Sequence, residues 1–188
     1  MKRALVTLES ISPYSQSRYY QTPKKEKESS ADYEERTWRD RVHADRDGNL
    51  QIPPMSFKNC LAEAAKFLSM QIPGKGKATY TKHFEAGVLV NAPLTLPIKK
   101  TDVEGEWLFV PSSGRRGDGR RVQKCFPVIH QWGGEVEFLI IDDTLTEETF
   151  RYHIEQAGQL IGIGRFRPRN NGYYGRFKVT GFQFEDYS

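Results

Sequence analysis

Between positions 162 and 178 the chain reads Gly162-Ile163-Gly164-Arg165-Phe166-Arg167-Pro168-Arg169-Asn170-Asn171-Gly172-Tyr173-Tyr174-Gly175-Arg176-Phe177-Lys178, with five cations and no acid. Arg165, Arg167, Arg169 and Arg176 can each offer a bidentate guanidinium to a phosphate. Gly162, Gly164, Gly172 and Gly175 let the backbone approach closely and expose N–H donors, and Phe166, Tyr173 and Tyr174 offer flat faces on which bases stack. Together these residue types suit the gripping of a polyanionic strand. A loop whose glycines only cap a helix would explain the glycines but not the interleaving of rings with cations.

A second basic cluster, Arg115, Arg116, Arg120, Arg121 and Lys124 against Asp118, gives residues 111–125 a charge of +4. The first carries +5 over 162–178 and the whole chain only +4, so everything else sums to −5. Local basic patches on an otherwise acidic surface attract a polyanion through counterion release while limiting indiscriminate adhesion.

Catalytic constellations are thinner. Of His43, His83, His130 and His153, His43 lies in a polar stretch and is the candidate general acid–base group, with no partner identifiable by spacing. Asp142-Asp143 precedes a helix start, where carboxylates suit the helix dipole, so it reads as structural and no metal site is expected. Asp45 and Asp47 are loop carboxylates without independent support for a cutting role. Gly162-Ile163-Gly164 follows a helix instead of opening one, which excludes a dinucleotide fingerprint, and no phosphate-binding P-loop pattern occurs. No cofactor is expected. Cys60 and Cys125 form no CxxC pair, and Cys60 falls on an apolar helical face as a core thiol.

The elements that must position these residues follow from periodicity. Residues 3–11 alternate as a central strand. Residues 12–50 form a polar, charge-dense insertion, an extended finger-like excursion mobile unless a partner orders it, with a short helix over 32–41 carrying Tyr33 and Trp38. Phe57, Cys60, Leu61, Ala64, Ala65 and Leu68 predict a helix over 56–70 capped by Ser56. Residues 84–90, 94–98 and 107–110 read as short strands, and 111–121 as an exposed basic loop. Residues 122–131 and 135–141 flank Trp132-Gly133-Gly134 as an inserted hairpin. Thr144 and Glu147 have capping-box spacing before a second helix ending at Gly162, and 173–184 form a last strand. One α+β domain over 1–188 results, with βαββαβ order as in RRM-like or ferredoxin-like folds: two helices on one face of an antiparallel sheet whose open face is commonly used for RNA.

Two stretches resemble the RAMP superfamily of CRISPR-associated RNA-binding proteins. Ile161-Gly162-Ile163-Gly164-Arg165 followed by Gly172-Tyr173-Tyr174-Gly175-Arg176 is similar to the family's Gly-rich loop leading into its last strand. Ile52-Pro53-Pro54-Met55-Ser56-Phe57-Lys58 is similar to its entry to the first helix, with Pro54 and Met55 where the family has Gly and Ser. The resemblance implies that Lys58 joins the four loop arginines in gripping a nucleic-acid backbone. It also implies that the excursion and the Arg115–Arg121 loop reach along the strand or touch the next subunit, as in guide-RNA backbone subunits.

The expected function is therefore non-enzymatic binding of single-stranded RNA, mainly through phosphates and stacked bases, with self-association along the ligand. The rivals are a single-stranded DNA-binding protein of a replication or recombination module, a metal-independent endoribonuclease, and an interaction or inhibitor protein. No segment reads as a membrane span or signal peptide, so a cytoplasmic protein is expected.

Overall fold

Strand β1 (Lys2–Ser10) buries Ala4, Val6 and Leu8 and turns Arg3, Leu5, Thr7 and Glu9 to the opposite face, as the two-residue period of a strand requires. The computed structural model, which describes residues 1–115, 117 and 119–187, continues with β2 (Tyr14–Ser15) and α1 (Ser30–Thr37), the latter running into a 3-10 turn at Trp38–Arg41. Then come β3 (Asn49–Ile52), α2 (Pro54–Leu68), α3 (Thr81–Gly87), β4 (Val88–Leu89), β5 (Leu94–Lys99) and β6 (Glu104–Pro111). The chain ends with β7 (Arg121–Ile129), β8 (Gly133–Ile140), α4 (Glu147–Gln156) with a π turn at Ala157–Ile161, and β9 (Phe177–Asp186).

The strands form three antiparallel sheets, ordered β4-β8-β1-β9, β2-β7-β6 and β3-β5, and with the helices they make an α+β protein. Helix α2 buries Phe57, Cys60, Leu61, Ala64 and Ala65, and α4 buries Phe150 and Ile154, in one cluster with Ala4, Val6 and Leu8 of β1 and Val136, Phe138 and Ile140 of β8. Each large side chain so buried contributes about 1.5–3 kcal/mol relative to exposure. In β9 a register shift between Thr7 and Leu8 of its partner switches the inward parity. Phe177 and Val179 therefore pack before the shift, and both Phe182 and Phe184 pack after it. Among the described residues no helix is long and apolar enough to cross a membrane.

Several expectations need correction. Residues 122–141 do not form a hairpin, because β7 and β8 belong to different sheets. Trp132 is buried, donates its indole N–H to the Ser12 carbonyl (3.0 Å), and carries the chain from one sheet to the other. Residues 84–90 begin in helix α3, with Phe84 wedged against Phe150 and His153 and the strand confined to Val88–Leu89. Pro53, not Ser56, occupies the N-cap of α2, and Thr146, not Thr144, caps α4 by accepting from the Thr149 N–H.

The 12–50 segment is not an extended finger. Its Tyr14, Trp38, Val42 and Leu50 are buried, and β2 pairs with β7 at Val128 and Ile129. Gly105 makes room for this return, since a Cβ there would lie 2.9 Å from the Trp38 ring. The buried Glu34–Arg41 pair, 2.7 Å apart, accepts from the Cys125 N–H and donates to its carbonyl, pinning the segment to β7.

Candidate nucleic-acid interface

The Gly/Arg segment is a folded knot instead of an open cradle. Gly162 closes the π turn with its N–H on the Ala157 carbonyl; the N–H of Gly172 goes to Arg167 and that of Gly175 to Pro13. These three donors, expected to face phosphate, are thus used within the protein. A Cβ on Gly175 would sit 1.9 Å from the Ile163 carbonyl oxygen, and one on Gly164 2.4 Å from the Tyr14 ring, both at positive φ. Those glycines exist so that backbone strands 162–164, 172–175 and 13–15 can lie against one another.

The knot aims its side chains outward unequally. The Arg165 guanidinium lies over Phe126 of β7, 3.6 Å from the ring centroid, and burial lowers its pKa while Glu106 opposes that shift. Arg167 is paired with Glu63 of α2 at 2.7 Å, and Arg169 stands 4.0 Å from the other oxygen of the same carboxylate. Arg176 donates to the Gln159 carbonyl (3.1 Å) behind the π turn. The Tyr174 hydroxyl donates to Glu106, whereas Phe166 and Tyr173 are exposed. Lys58 spends its ammonium on the carbonyls of Phe84 (2.8 Å) and Glu85 (2.5 Å), closing the end of α3, and burial lowers its pKa.

Arg115 is exposed on the basic loop and Arg121 at the start of β7, and the Arg120 carbonyl accepts from the Ser112 N–H. Arg116 lies outside the described residues. Beside the loop, Ser112 and Lys124 line a cleft of about 580 Å³ with Arg18, Tyr19, Tyr20 and Tyr33. Ser17 also lines a second cleft, of about 440 Å³, with His43, Arg165, Phe166 and Asn170. Asn170 in turn lines a third, of about 600 Å³, with Arg167, Arg169, Lys66 and Phe67. The three clefts adjoin and run from the basic loop to the Gly/Arg knot.

The middle of this strip, Ser17 to Tyr20, is not among the site residues expected from the sequence. Ser17-Arg18-Tyr19-Tyr20 interleaves rings and cation as the Gly/Arg segment does, and that was the available signal. Tyr20 and Tyr33 are held in place by hydrogen bonds to Thr37 and to the Thr22 carbonyl, while Tyr19 is 78% exposed. His43 is kept below its ordinary pKa by burial and by Arg18, so near neutral pH it is an uncharged imidazole. The neighbouring Tyr14 hydroxyl is pushed up to about 12 by burial and offers no ready proton. Asp45 is taken up by its own turn, accepting from Asp47 and Asn49, and Asp142 is bound to His83 at 2.6 Å.

The open face of the four-stranded sheet, a common RNA platform, is acidic here. Glu9, Glu135, Glu137 and Glu185 lie on it by register, and its cations Arg3 and Lys178 are paired with Glu137 and Glu9 respectively. Such a face repels phosphate, so the clefts and not the sheet are the candidate interface. No known protein-family model matches this chain, and no curated protein matches it either.

Proposed function

We propose that the chain binds single-stranded RNA along the strip of three clefts, without cutting it, as a RAMP-like guide-RNA backbone subunit of the cytoplasm. One observation carries the reading: Ser112 and Lys124 beside the basic loop, the Arg18–Tyr20 run and the Gly/Arg knot, distant in sequence, line clefts that share Ser17 and Asn170. Cations beside exposed rings at this spacing suit a strand held by phosphate contacts and stacked bases. Cleavage would rest on His43 alone, since the adjacent Tyr14 holds its proton.

The finer fold assignment is part of the same proposal. In chain order the central sheet consists of β1, β4, β8 and β9, with α2 between the first two and α4 between the last two, which supports a ferredoxin-like reading. The acidic sheet face and the basic loop are opposite in charge, which suits contact between successive copies along one ligand.

Fluorescence anisotropy with matched RNA and DNA oligomers over a range of salt tests the reading. RNA should bind more tightly than DNA, and Arg165→Ala with Arg167→Ala should weaken binding and flatten the log–log salt slope by roughly 1–2. Equal affinity for both sugars would favour the DNA-binding alternative. Absence of binding to either would leave an interaction protein.

A further inference from the structure

Strand β7 has a bare edge. On the side away from β6, β2 covers only Val128 and Ile129. Further along the same edge, the N–H and C=O of the buried Cys125 are satisfied by Glu34 and Arg41, at 2.9 and 3.1 Å, in place of a neighbouring strand. In an antiparallel ladder alternate residues turn both their N–H and their C=O to the same side. Gln123, two residues before Cys125 and opposite Phe109 of β6, therefore turns its N–H and C=O away from β6 as well. That side is the first cleft, whose wall includes Val122, Gln123 and Lys124. Among the described residues no hydrogen bond meets these two groups of Gln123.

We infer that the first cleft is a base-reading subsite in which the Gln123 backbone N–H and C=O pair with the Watson–Crick edge of one unpaired nucleobase. This rests on the RNA-binding reading above and adds to it a test of pairing status. Every base carries a hydrogen-bond donor beside an acceptor on that edge, so a backbone donor–acceptor pair accepts any base whose edge is free and rejects one already paired. Tyr19, Tyr20 and Tyr33 supply ring faces in the same cleft, and Arg18, Lys24 and Lys124 supply charge for the flanking phosphates. A peptide adding as a strand fits less well: the ledge stops at Cys125, where the Glu34–Arg41 pair already occupies the edge, leaving too short a run for a ladder.

The test compares uridine oligomers with oligomers of N3-methyluridine, which keep phosphate, ribose and ring but block the central donor of the edge. Anisotropy titration of the full chain should show the methylated strand bound about tenfold or more weakly. Gln123→Pro removes the N–H without removing a β6–β7 ladder bond, because that N–H faces away from β6. It should weaken uridine binding by a similar factor and abolish the difference between the two strands, with circular dichroism reporting the fold. Equal binding of the two strands by the wild-type chain would overturn the subsite while leaving RNA binding intact. Failure of both strands to bind would instead overturn the RNA reading itself. The wild-type comparison needs no variant, so a misfolded Gln123→Pro chain does not decide the matter.

Discussion

Glu63 sits where a phosphate would, between Arg167 and Arg169. A carboxylate holding guanidinium groups in place preorganises them but also competes with the ligand for them. Glu63→Gln should therefore tighten RNA binding severalfold at moderate salt, read by anisotropy, whereas Arg167→Ala weakens it. His153 is buried against Phe84 and Tyr80, with Nδ1 on the Thr149 carbonyl and no partner for Nε2 among the described residues. Burial lowers its pKa from the ordinary value near 6.5. The unfolded chain then takes up a proton before the folded one does, so the contribution of His153 to stability is complete above about pH 6.5 and is lost as pH falls below it. Thermal melts should show the midpoint dropping on acidification through that range, and less so in His153→Leu. The roles of Glu63 and His153 were not legible in the sequence, because each depends on partners more than 60 positions away or on burial that local pattern does not encode.

At the scale of elements, the segments with unambiguous periodicity were legible and their partners were not. The 3.6-residue spacing of Phe57, Cys60, Leu61 and Ala64 gave α2, and the alternation of Ala4, Val6 and Leu8 gave β1. The apolar run of β7 and the alternation of Val136, Phe138 and Ile140 in β8 mark two strands, but they say nothing of which strand each one pairs with, and the turn-like Trp132-Gly133-Gly134 invited a hairpin between them. Phe84 to Val90 is too short an apolar run to distinguish helix from strand by period. The insertion looked unable to fold because few of its residues are apolar; what pins it is a polar device, the Glu34–Arg41 pair on the edge of β7. Removing one partner leaves a buried charge and bare Cys125 backbone groups. Arg41→Ala should cost about 3–5 kcal/mol in chemical denaturation and release the 12–50 segment to proteolysis.

Across the whole molecule the charges are sorted by face. Lys124 of one basic cluster and Arg165, Arg167 and Arg169 of the other line the strip of clefts, and the acidic remainder includes the open face of the central sheet. The segregation was visible as a number, +9 in two segments against −5 elsewhere, but not as a geometry. A sheet platform and a cleft strip are both open to a chain of this composition; Glu9, Glu135, Glu137 and Glu185 on the sheet decide against the first. The most direct measurement is ultraviolet crosslinking of the chain to a 4-thiouridine-containing RNA, with the attached peptides mapped by mass spectrometry. Crosslinks should fall on rings along the strip that are exposed or half-exposed, Tyr19, Tyr20, Tyr33, Phe67 and Phe166. Crosslinks on the sheet face around Leu5, Thr7 and Leu139, with the strip unmarked, would contradict the account.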